Sequence, residues 1–171
     1  MGGMFVRPDD WLEIGTRLVL ALLVGCIIGL NRQKGGRAAG MRTFMLVSMG
    51  SALFVMIPLQ AGGDTANATN ALSRAIQGVT TGVGFIGAGL ILHESSTKSR
   101  VPRVRGLTTA ASVWTSAGLG AAIGCGLWQM ALIAGFLTLI TLSEVKRLSQ
   151  FLKFRSSRGK QLATHETDVT D

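Results

Sequence analysis

Four stretches of this chain, at 18–30, 43–63, 75–92 and 106–143, contain no Asp, Glu, Lys or Arg. Uncharged apolar runs of about 18 residues or more have the length of a bilayer-spanning helix. The last run has 38 residues; as one helix it would measure about 57 Å, against a hydrocarbon layer of about 30 Å. It is therefore expected to fold back, and "GCGLW" at 124–128 supplies the break: two glycines permit a tight connection and Trp128 suits an interface. The pattern predicts five spans, at 11–30, 43–59, 74–92, 107–123 and 127–143. The expected fold class is an all-α membrane protein, a bundle of five transmembrane helices.

Basic residues set the orientation. Arg32, Lys34, Arg37 and Arg42 lie between the first two spans, Lys98, Arg100, Arg103 and Arg105 between the third and fourth, and Lys146, Arg147, Lys153, Arg155, Arg158 and Lys160 after the fifth. Fourteen of the seventeen Lys and Arg thus fall on one side, which the positive-inside rule makes cytoplasmic. The N-terminus is expected outside and the C-terminus inside. The transmembrane domain is expected over 1–143, followed at 144–171 by a basic cytoplasmic tail without a folded domain. That tail opens with Leu148, Phe151, Leu152 and Phe154 among its basic residues, the makings of a helix lying on the inner leaflet. Asp9, Asp10 and Glu13 precede the first apolar run, unlike the basic start of a secretory signal, so the first span is expected to be retained.

Composition agrees with a membrane setting: charged residues are 15% and glycines number 23 of 171. The net charge of +8 is accounted for by the inner loops, so nucleic acid is not expected as a partner. Cys26 and Cys125 stand among glycine and apolar residues and read as small helix-packing residues; no metal or cofactor is expected. Arg17, one turn after Glu13, is placed to pair with it or to snorkel to headgroups, a functional intramembrane charge being the rival reading.

The segment "GVTTGVGFIGAGLIL" at 78–92 puts glycine where a soluble helix loses about 1 kcal/mol for each one. In lipid, apolar side chains gain little by hiding from apolar tails, so helices associate through close backbone approach and interhelical polar contacts. Gly78 and Gly82 form one small-xxx-small pair and Gly84 and Ala88 another; with Gly87 and Gly89 they are the candidate helix-packing residues. On this reading the third span sits centrally among its neighbours.

Hydroxyls populate the spans: Ser48 and Ser51, Thr80 and Thr81, Thr108, Thr109, Ser112, Thr115 and Ser116. They can bond to carbonyls of their own helix, or form a polar seam between spans three and four through Gln77, Thr81, Ser112 and Thr115. At the cytoplasmic border Arg32, Arg37, Arg42 and Thr43, with Arg105, Gly106, Thr108 and Thr109, flank the starts of spans two and four. Helix N-termini carry free donors and partial positive charge, so this border is a candidate contact for anions such as lipid headgroups, or for an acidic partner; positive-inside anchoring explains the same arginines.

"GLNRQKGGRAAGMRTFMLVSMGSALF", "TGVGFIGAGLIL" and "VRGLTTAASVWTSAGLGAAIGCG" resemble the three signature stretches of the MgtC/SapB family of bacterial inner-membrane proteins. Its basic loop matches Arg32, Arg37, Gly40, Arg42 and Thr43. Its glycine motif matches Gly82, Gly84, Phe85, Gly87, Ala88 and Gly89. Its last motif matches Arg105, Gly106, Leu107, Thr109, Ala110, Ala111 and Trp114. Asn31 stands where many members carry an acid and Thr108 where some carry Asn, and the soluble cytoplasmic domain of larger members is not expected here. The resemblance implies an inner-membrane protein linked to magnesium homeostasis, acid tolerance and survival inside host cells. It further implies regulation through association with another membrane complex, such as the proton-translocating ATP synthase, or with itself.

An enzyme is not expected. There are no paired acids and no HExxH motif, and His93 and His165 are isolated, although His93 beside Glu94 has the chemistry of a pH sensor. Transport of magnesium or another ion is the main alternative to regulation. Magnesium prefers oxygen ligands that include carboxylates, whereas Glu13, Asp64, Glu94 and Glu144 lie at borders or in loops.

Overall fold

The computed structural model describes residues 10–33, 39–62, 66–95 and 106–143, without the side chains of Gln33, His93, Glu94 and Ser95. The expectations placed on Arg37, on Arg105, on the His93 side chain and on the tail at 144–171 lie outside what is described. Five helices occur among the described residues: α1 Trp11–Gln33, α2 Met41–Gly62, α3 Ala66–Ser95, α4 Leu107–Gly124 and α5 Trp128–Ser143. The chain divides into two compact units, Met1–Thr138 and Leu139–Asp171; in the second, the described residues complete α5.

Three of the helices, α1, α2 and α3, are long and apolar enough to cross a membrane. The 18-residue α4 and the shorter α5 are not among them. The interior is mostly apolar, with Ile28, Phe44, Val55 and Val113 buried, but large apolar side chains also cover the outside and hydroxyls enter the interior. Leu23, Ile27, Phe54 and Phe136 are exposed, while Ser48, Ser51, Ser112 and Ser116 are buried. Apolar side chains on the outside and hydroxyls within suit a hydrocarbon solvent, because packing and hydrogen bonds then supply cohesion that burial of apolar area cannot.

Among α1 to α4, α2 and α4 each pack on the other three, whereas α1 and α3 each pack on two. Two Gly-xxx-Gly pairs, one on α1 and one on α4, pack against α2. On α1, a Cβ at Gly25 would stand 2.5 Å from the Phe44 carbonyl oxygen, and one at Gly29 would stand 2.6 Å from Met41 Cα. On α4, a Cβ at Gly120 would overlap the Ser48 carbonyl and one at Gly124 would lie 2.6 Å from the Ala52 carbonyl oxygen. Neither approach leaves room for a methyl group, so the backbones touch.

The expectation that the third span is central is therefore corrected: 11% of its apolar window is buried, against 39% for α2. Its glycines are not what hold this chain together; those of α1 and α4 are. Its N-terminal bound also differs, Ala66 instead of 74. The segment around Asn67 and Asn70 reads as a polar loop, yet Ala68 and Leu72 are buried and a Cβ on Gly62 would meet Ala68 Cβ at 2.6 Å. That apolar contact recruits the first turns into the helix despite their weak propensity.

The break expected at 124–128 is present. Gly126 adopts φ 77°, Gly126 N–H donates to the Ile123 carbonyl at 2.9 Å and Leu127 N–H donates to the Ala122 carbonyl at 2.8 Å. This is a Schellman end, which calls for glycine at the left-handed position.

Candidate functional site: an open small-residue face and two buried arginines

Arg17 is 5% exposed. Its Nη1 donates to the Gly124 carbonyl at 2.8 Å and its Nη2 to Glu13 Oε1, one turn away on α1. Cationic donors at a helix C-terminus satisfy free carbonyls and oppose the negative end of the dipole, so Arg17 completes the cap of α4. The guanidinium also lies over Gly126, where a Cβ would come within 3.0 Å of Nη2. The expected Glu13 pair is present, but the side chain turns into the bundle instead of snorkelling outward. Cys125 sits in the same turn, and burial pushes its thiol pKa up, with the Arg17 cation pulling weakly the other way.

At the opposite end Arg32 is 2% exposed and donates through Nη2 to Thr109 Oγ1 at 2.6 Å. It joins the last turn of α1 to the first turn of α4, which starts from Gly106 at φ 89°. Of the border residues singled out in the sequence, the structure brings Arg32 and Thr109 together. Arg42 and Thr108 are exposed, and Thr43 is half-buried near the start of α2. Arg32 is thus an internal tie, and Arg42 is the described border arginine that reaches the surface.

Of the two readings of the Ser112 and Thr115 hydroxyls, bonding within their own helix is the one seen, and the alternative polar seam between α3 and α4 is not formed among the described residues. Ser112 and Thr115 bond to the Thr108 and Ala111 carbonyls of their own helix, and Gln77 and Thr81 are exposed. The contact of α3 with α4 runs instead through Gly87, where a Cβ would meet Ala110 Cβ at 3.4 Å. Interhelical hydroxyl bonds cross α2: Ser116 donates to the Phe44 carbonyl at 3.3 Å and Ser48 to the Ala21 carbonyl at 2.7 Å. Thr109, Ser116, Gly120 and Gly124 repeat at near-helical spacing along this face, a signal that marking Thr108 and Thr115 missed.

Among the six candidate packing residues, Gly87 alone meets a neighbouring helix in this way. A Cβ at Gly78, Gly82, Gly84 or Gly89 would meet nothing within 4 Å, and Ala88 is exposed. Gln77, Thr81, Gly84 and Ala88, spaced i, i+4, i+7 and i+11, share one face of α3, and all four are exposed. This stripe of small and polar side chains is turned away from the chain's own bundle.

The family model for the MgtC family matches residues 18–151. The chain is 58% identical to the protein SrpB of Synechococcus elongatus, over 95% of this chain and 91% of that one. It is 38% identical to YhiD of Escherichia coli, named as a candidate magnesium transporter, over 80% of this chain and 62% of that one. It is 35% identical to the protein MgtC of Brucella abortus, over 87% of this chain and 58% of that one. No solved structure matches. With the matched region reaching from within α1 past α5 and relatives aligned across most of the chain, this protein belongs to the MgtC family.

Proposed function

We propose that this chain is a five-span inner-membrane regulatory protein, N-terminus outside and C-terminus cytoplasmic, acting by helix–helix association and not as an enzyme. The partner is a second copy or another membrane complex, the proton-translocating ATP synthase being the candidate that the family resemblance brings forward. The link to magnesium homeostasis, acid tolerance and intracellular survival comes with the same resemblance. One observation carries the reading: the Gln77–Thr81–Gly84–Ala88 stripe is exposed although two other small-residue motifs, on α1 and α4, are packed tightly against α2. Polar and bare-backbone positions facing lipid gain nothing there, whereas facing another helix they allow close approach and interhelical hydrogen bonds.

Affinity purification from native lipid tests it. Wild-type protein should bring down a membrane partner or a tagged second copy, and Gly84→Leu should lose it while still inserting. Equal recovery by the variant contradicts the reading.

Magnesium transport is the second reading, favoured by the name of the Escherichia coli relative. The buried charges among the described residues, Arg17 and Arg32, are cationic and disfavour a divalent cation nearby. Magnesium uptake into liposomes holding this protein alone would establish transport; null flux together with partner capture favours regulation.

A further inference from the structure

A groove of about 600 Å³ runs between α2 and α3, lined by Leu46, Gly50 and Phe54 on one side and Gly78, Gly82 and Ile86 on the other. Its depth comes from missing side chains, since a Cβ at any of the three glycines would meet nothing within 4 Å. Ser51, the hydroxyl on its wall, is already bonded to the Val47 carbonyl at 2.8 Å. The wall asks for hydrocarbon and for no polar partner.

From Leu46 to Phe54 the groove extends about 12 Å along α2 at 1.5 Å per residue. One turn beyond Leu46, toward the start of α2, stands Arg42, exposed and without an ion pair among the described residues. The α2 N-terminus adds partial positive charge at the same end. An apolar groove therefore lies one turn from an exposed cation.

We propose that this groove holds an acyl tail of an anionic phospholipid whose headgroup phosphate is received by Arg42. The proposal rests on the orientation given under Proposed function, which puts the Arg42 end at the cytoplasmic leaflet. It occupies a different face of α3 from the Gln77–Ala88 stripe, so lipid and partner helix do not compete.

Native mass spectrometry of the full chain in mild detergent, offered phosphatidylglycerol or phosphatidylcholine with the same tails, tests it. Wild-type protein should retain one phosphatidylglycerol per chain with about fivefold preference, the advantage of one basic residue at an anionic surface. Arg42→Gln should retain both lipids equally. Gly82→Leu should retain neither, with Gly50→Leu closing the groove from α2 if the first variant melts early. Equal retention by the wild type, retention of phosphatidylglycerol by both closed-groove variants, or photo-crosslinks from position 82 to polypeptide would overturn the proposal. Gly84→Leu should keep the lipid preference while losing partner capture, so the two readings fail separately.

Discussion

Gly120 and Gly84 both stand inside helices, yet an added methyl group has opposite consequences at them. At Gly120 it would enter the Ser48 carbonyl, and at Gly84 it would enter open space. Gly120→Ala is expected to destabilise the bundle by about 1–3 kcal/mol through overpacking, visible as a lower melting temperature in a fixed micelle, while Gly84→Ala leaves melting unchanged. Arg17 contributes as cap and ion pair; Arg17→Ala should cost about 2 kcal/mol, the range for hydrogen bonds to charged groups, and Arg17→Lys should recover only part of it. Cys125 gives a pH readout. Because burial raises its pKa, the folded protein holds a neutral thiol at pH values where a free cysteine begins to ionise. In a Cys26→Ser background, maleimide labelling near pH 8 should be slow until the protein is unfolded in sodium dodecyl sulfate; equal rates would show that the turn is not packed as described.

Helix existence and approximate bounds were legible from charge-free runs, and the end of α4 from "GCGLW", because a left-handed glycine position has few sequence solutions. The hierarchy among helices was not legible. Gly25–Gly29, Gly78–Gly82 and Gly120–Gly124 carry the same spacing, and nothing local says which pair meets a helix of its own chain. Only the mutual packing of α1, α2 and α4 decides that. Likewise Thr108 and Thr109 are adjacent hydroxyls, and the buried Arg32 on another helix selects Thr109. The interhelical hydroxyls should matter less than the glycines: Ser48→Ala removes a bond to Ala21 and should cost about 0.6 kcal/mol, the average for such bonds in membranes. A melting shift larger than that of Gly120→Ala would reverse this ranking.

At the scale of the whole molecule, α1, α2 and α4 pack on one another, and α3 keeps a face that the described residues leave uncovered. The central claim is that a protein helix covers it. A photo-crosslinking amino acid placed in native membranes at positions 81, 84 and 88, and at the exposed Leu53 of α2 as a control, tests this most directly. The account predicts adducts to polypeptide at the three α3 positions and to lipid at 53. Lipid adducts at all four positions would contradict it.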